Sequence, residues 1–129
     1  MSPMGPRILV VEDDPRTKEA LADLIQSEGW EFHVADTVEE ALAATGDLVP
    51  EVIVVEPRCD QGGAGSLLFK LRQRGEWTPV LLYTDDPAYD EQYALEHGAS
   101  DVIPKAAGPA ALRDSIARVL ADEETDRPL

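Results

Sequence analysis

Arg7-Ile8-Leu9-Val10-Val11-Glu12-Asp13-Asp14-Pro15 contains the switch of pattern that decides the fold. Four consecutive β-branched or aliphatic residues, with no polar alternation, describe a strand covered on both faces, as in a parallel sheet. Asp14-Pro15 then opens a helix, the acid as N-cap and the proline at the first helical position. The same alternation continues along the chain. Apolar runs at Ile8–Val11, Val34–Ala35 with its flanks, Val52–Val55, Val80–Tyr83 and Val102–Ile103 are separated by helical patterns. The first helix carries Ala20, Leu21, Leu24 and Ile25 on one face and stops at Gly29. The second opens with a capping box, Thr37 and Glu40, buries Val38, Ala41 and Leu42, and should end before Gly46. A third is expected from about Ser66 to Arg74. A fourth should run from Asp86-Pro87 to Gly98 with Tyr89 and Tyr93 half exposed. The last holds Leu112, Ile116, Val119 and Leu120 at helical spacing.

Five strands alternating with five helices imply right-handed crossovers, hence a doubly wound α/β sandwich with a five-stranded parallel sheet. At 129 residues the chain suits one core. The domain is placed at 1–122, with 123–129 as an acidic tail, fraying from Ala121. A net charge of −15 disfavours direct nucleic-acid binding and anionic membranes. No apolar run is long enough to span a bilayer. The single cysteine, Cys59, fits a reducing compartment and reads as an inert small residue, so a cytoplasmic protein is expected. Trp30 and Trp77 read as packing residues, and His33 and His97 as surface or capping residues. Gly62-Gly63-Ala64-Gly65 lacks a following Lys-Ser/Thr and reads as a turn, not a phosphate loop.

In such a sheet the functional crevice lies beyond the carboxyl ends of the strands. There the sequence places Glu12, Asp13 and Asp14 after the first strand, Glu56 after the third, Thr84 and Asp85 after the fourth, and Lys105 after the fifth. Asp14 is accounted for as an N-cap. Clustered carboxylates need a cation between them, and an oxygen-only set suits Mg²⁺.

The segments Arg7–Pro15, Pro50–Glu56 (Pro-Glu-Val-Ile-Val-Val-Glu), Thr78–Thr84 (Thr-Pro-Val-Leu-Leu-Tyr-Thr) and Gly98–Lys105 (Gly-Ala-Ser-Asp-Val-Ile-Pro-Lys) resemble, in order and spacing, the receiver domain of two-component response regulators, from about Arg7 to Leu120. The resemblance implies the flavodoxin-like strand order 2-1-3-4-5. It also implies a Mg²⁺ site formed by Glu12, Asp13, the acceptor carboxylate and the backbone carbonyl of Arg58. The phosphoacceptor position falls on Glu56, with Thr84 and Lys105 as phosphoryl contacts. No organic cofactor is expected, and the family role is signalling rather than enzymatic. The partner implied is a histidine kinase or a downstream signalling protein, and a homodimer is compatible.

Three departures from the family shape the functional reading. The acceptor position is Glu56 rather than Asp, which moves the carboxylate about 1.5 Å outward, toward the space a phosphoryl group would fill and within reach of Thr84 and Lys105. The aromatic switch position is Val102, a short stiff side chain with no ring to swing. Lys105 is followed by Ala106, where the family usually has a cis proline; a trans bond is expected, with Lys105 free to point elsewhere. An engineered exchange would account for Glu56 alone. The leading expectation is therefore a pseudo-receiver, a protein-interaction module with Glu56 as a permanent, imperfect phosphoryl mimic. Its surface is expected near Tyr89, Tyr93, Val102 and Arg113, and with no length for an output domain it should act by docking. A working phosphoacceptor, through Glu56, Asp60 or Asp14, is the alternative. A flavodoxin-like enzyme or nucleotide-binding domain ranks last, since Glu12, Asp13 and Asp14 would repel a phosphate.

Overall fold

The computed structural model describes residues 5–59 and 64–126. Asp60, the more distal alternative acceptor, and Gly62 and Gly63 lie outside them. The elements run β1 (Arg7–Val11), α1 (Pro15–Ser27), β2 (Glu31–Ala35), α2 (Val38–Leu48), β3 (Val52–Val55), α3 (Ala64–Gln73), β4 (Val80–Tyr83), α4 (Glu91–His97), β5 (Asp101–Ile103) and α5 (Pro109–Asp126). All strand pairs are parallel, and the sheet order is β2-β1-β3-β4-β5.

Period-two alternation sorts the buried strand residues onto two faces. Leu9, Val11, Ile53, Val55, Val80 and Leu82 meet Val38, Ala41 and Leu42 of α2 and Leu67, Leu68 and Leu71 of α3. Ile8, Val10, Val52, Val54, Leu81, Tyr83 and Ile103 meet Leu21 and Ile25 of α1 and Leu112 and Ile116 of α5. Central strands buried on both faces explain the unbroken apolar runs. Trp30 packs at the edge of the second cluster.

The caps at Asp14 and Thr37 are formed: Asp14 Oδ2 accepts from the Thr17 N–H at 3.0 Å and Thr37 Oγ1 from the Glu40 N–H at 3.1 Å. Several boundaries differ from those expected. Helix α2 runs through Gly46 to Leu48 and is stopped by Val49, which takes the left-handed conformation (φ 50°). Helix α4 begins at Glu91 rather than Asp86. Asp86 closes a local turn, accepting from the Ala88 N–H, while Asp90 is the N-cap that accepts from Tyr93. Helix α3 starts at Ala64, two residues early, and α5 continues to Asp126 rather than fraying at Ala121. Trp77 is exposed, with the Arg72 guanidinium 5.4 Å from its ring centre, so it is not a core packing residue.

Val49 offers a stability test. A β-branched residue at positive φ is strained by roughly 1–2 kcal/mol, and its side chain is exposed, so little packing is lost on removal. Val49→Gly is expected to stabilise the fold by about 1 kcal/mol, after the added freedom of glycine in the unfolded chain. A rise in the urea midpoint with unchanged slope is the readout.

Candidate functional site

The carboxyl ends of β1, β3 and β5 bring Glu12, Glu56 and Lys105 together. Each acid follows the last strand residue directly, where the backbone still holds the ladder: the Glu12 N–H donates to Ala35 O and the Glu56 N–H to Val11 O. Both side chains are buried, Glu12 at 1% and Glu56 at 3% exposure. Lys105 Nζ lies 2.7 Å from Glu56 Oε1 and 3.0 Å from Glu12 Oε1, bridging the two. The remaining oxygens accept backbone donors, Glu12 Oε2 from Asp14 N–H at 3.1 Å and Glu56 Oε2 from Arg58 N–H at 3.2 Å. The Arg58 guanidinium adds a second cation 3.4 Å from Glu56 Oε1. Two buried anions thus face two cations, which is the condition under which buried charge is tolerated.

Lys105 reaches this position although the bond to Ala106 is trans, as are all peptide bonds among the described residues. Lys105 starts a short 3₁₀ turn, Lys105–Ala107, and the Ala106 N–H donates to Asp85 Oδ1 at 2.8 Å, tying the β5 loop to the β4 loop. The freedom expected of a loop without proline is taken up by that bond. Burial pulls the Lys105 ammonium toward neutrality, but the hydrogen bonds and charges of Glu56 and Glu12 outweigh it and raise its pKa above 10.5. A raised cation contributes its stability fully below pH 10.5 and loses it as pH climbs through the folded value. Denaturant unfolding is therefore expected to hold steady to about pH 10 and weaken above it, with Lys105→Met flattening that decline.

Thr84 is buried at the end of β4, and its Oγ1 accepts from the Asp86 N–H at 3.1 Å, capping the β4 loop rather than bonding Glu56. Asp14 sits at the mouth as the α1 cap. Val102 is half-buried against the α2/α3 face, with Tyr89 and Tyr93 packed beside the same cluster. Tyr93 meets Tyr89 edge-on at 4.8 Å and stacks on His97 at 3.9 Å. Arg113 lies on α5 with its guanidinium on Asp114.

Among the described residues, the His, Cys, Asp and Glu side chains that bring three ligand atoms within 4.8 Å of one another are Glu12, Asp13 and Cys59, an acidic cluster in which a thiol takes the place expected for Glu56. Burial, followed by the charges of Asp13 and Glu12, pushes the Cys59 thiol up to about 11, so it stays protonated and unreactive. Mg²⁺ demands hard oxygen donors in near-octahedral order. A protonated thiol does not supply one, and Glu56 is committed to Lys105 and Arg58. This donor set therefore does not fit the ion that the resemblance implies. The proximity of Cys59 was not visible in sequence, because only the turn Pro57–Cys59 folds it back toward β1.

Among the described residues no helix is long and apolar enough to cross a membrane. The family model of the response regulator receiver domain matches residues 8–117. The chain is 31% identical over 133 residues to the response regulator MprA of Mycobacterium sp. (strain KMS), covering 97% of this chain and 56% of that protein. It is 32% identical over 131 residues to the response regulator protein FleR of Pseudomonas aeruginosa, covering 98% of this chain and 28% of that one. The chain thus spans about half or less of the length of these relatives. The CheY-like receiver domain protein of Methanospirillum hungatei superposes with a TM-score of 0.83 at 23% identity, covering 95% of this chain and 99% of that one. With the family model matching most of its length and the sheet ordered β2-β1-β3-β4-β5, the chain belongs to the response regulator receiver domain family.

Proposed function

We propose that this receiver domain works as a phosphorylation-independent docking module in two-component signalling, with Glu56 as a built-in substitute for the phosphorylated state. The observation that carries the reading is the 2.7 Å contact between the buried Glu56 carboxylate and Lys105. In this family the lysine is the group that meets a phosphoryl anion; here its charge is already met by the side chain at the acceptor position. The absence of a ring at Val102 supports the same reading, since the relay from site to surface has no aromatic to move. The partner is a protein, a histidine kinase or a downstream signalling protein, met on the face carrying Tyr89, Tyr93, Val102 and Arg113, and self-association is compatible with it. A charge of −15 sets the module itself against direct contact with nucleic acid.

Phosphorylation would require a Glu56 oxygen to attack phosphorus while acetate leaves from acetyl phosphate. That attack needs an oxygen in line with the leaving group, and both Glu56 oxygens are turned to bound donors. Incubation with acetyl phosphate and Mg²⁺, followed by intact-mass measurement, is expected to show the unmodified mass. A stoichiometric phosphoryl adduct would overturn the reading, and peptide mapping would name the acceptor.

A further inference from the structure

Beside the Glu56 pocket, between α1, the end of β4 and the turn into α5, lies a cavity of about 250 Å³ lined by Arg16, Leu21, Tyr83, Lys105 and Pro109 among others. Tyr83 is only 4% exposed, yet among the described residues its hydroxyl has no hydrogen-bond partner. Buried phenols ordinarily find one. Among the described residues, the fully sealed side-chain atoms without a hydrogen-bond partner are Glu31 Oε2 and Glu76 Oε2. The Tyr83 oxygen therefore keeps access to open space, and the cavity its residue lines supplies that space. Burial pushes the Tyr83 hydroxyl up in pKa, so it remains a neutral donor.

The cations at this cavity differ in availability. Lys105 is committed to Glu12 and Glu56. Arg16 is exposed and forms no hydrogen bond or ion pair among the described residues, so it is open to a ligand. Asp14, whose charge Arg16 feels, sits nearby, and Glu12 reaches Lys105 of the cavity wall. Those acids oppose a multiply charged anion such as phosphate and leave room for one negative charge. Leu21, Pro109 and the Tyr83 ring form an apolar wall. The volume equals about eight waters, below that of a drug-sized site.

We propose that this cavity binds a small aromatic monocarboxylate, its carboxylate paired with Arg16 and the Tyr83 hydroxyl and its ring on the Leu21–Pro109 wall. The site touches the signalling centre through Lys105, whose Nζ is 5.9 Å from the Tyr83 ring centre. It goes beyond the docking role above and does not depend on whether Glu56 accepts phosphate.

Benzoate titrated into ¹⁵N-labelled protein, followed by amide shifts, tests it. Saturable shifts are expected at Arg16, Thr17, Tyr83 and Lys105, with a Kd on the order of 1 mM for so small a ligand. Arg16→Gln and Tyr83→Phe are each expected to weaken binding roughly tenfold, the usual loss for one hydrogen bond to a charged group. Tyr83→Phe removes an oxygen that bonds nothing among the described residues, so its fold is retained and the comparison is clean. The proposal is overturned by the absence of saturation, by unchanged affinity in both variants, or by inorganic phosphate binding the same residues as tightly as benzoate.

Discussion

Lys105→Ala is expected to destabilise the domain by about 3–5 kcal/mol, the range seen when one partner of a buried ion pair is removed. The size follows from what remains. Glu12 and Glu56 are both almost fully buried, and without the ammonium their Oε1 atoms face one another with no charge between them. Arg58 compensates only in part, because its side chain is 67% exposed and, among the described residues, its ion pair is with Glu56 and not with Glu12. Lys105→Met separates the terms: it keeps most of the stem that packs beside Tyr83 and removes the charge. Urea unfolding of the two variants should therefore give similar losses. Millimolar Mg²⁺ should recover part of each loss while leaving the unsubstituted protein nearly unchanged, since the ion then fills the place of the missing ammonium. A loss below about 1 kcal/mol, the value of an exposed pair, would mean that the two carboxylates are neutralised by something other than Lys105.

The same residues show how far the sequence could be read. Strand positions were legible because central parallel strands are apolar throughout, and the period-two sorting into two clusters follows from the sheet. Glu12, Glu56 and Lys105 were legible as a group because each stands at the end of a strand, where the ladder leaves little freedom. Helix α4 was misplaced because Asp86-Pro87 has the same two letters as Asp14-Pro15. What separates them is tertiary. Asp14 caps Thr17 of a helix whose Leu21 and Ile25 have a core to enter, whereas Asp86 is followed by exposed Pro87 and Ala88 and closes only a turn. Val49 as the stop of α2 carried no signal, since a β-branched residue is the last choice for positive φ. Arg58 is named in the sequence only for its carbonyl; that its N–H and guanidinium also meet Glu56 was not legible, because it depends on how far the longer carboxylate reaches. Thr84 was placed within reach of Glu56, and its hydroxyl is used on its own loop. Partners chosen by side-chain length and loop closure cannot be read from spacing.

Glu56→Asp reverses the departure on which the functional reading rests, and it is expected to convert the domain into a phosphoacceptor. Shortening the side chain withdraws the carboxylate by about 1.5 Å, which loosens the contact with Lys105 and the bond to the Arg58 N–H. It also opens room beside Glu12 and Asp13 for Mg²⁺ and the incoming phosphoryl group. With acetyl phosphate and Mg²⁺, a single phosphoryl adduct is expected, forming at least about a hundredfold faster than on the unsubstituted chain, the scale of rate that misplacement of about 1 Å costs. The second half of the prediction concerns what that adduct does. Val102 has no ring to follow Thr84 inward, and α4 is held by the Tyr89–Tyr93–His97 stack. Amide shifts on phosphorylation should therefore cluster around Glu12, the substituted acceptor position, Thr84 and Lys105 and fade before α4. Shifts spreading through Tyr93 and Val102 would show that a relay survives without the aromatic, leaving Glu56 as the sole lock. A folded variant that binds Mg²⁺ yet takes no phosphate would instead move the block to Arg58 and Cys59, the two neighbours that the turn after β3 brings against the acid.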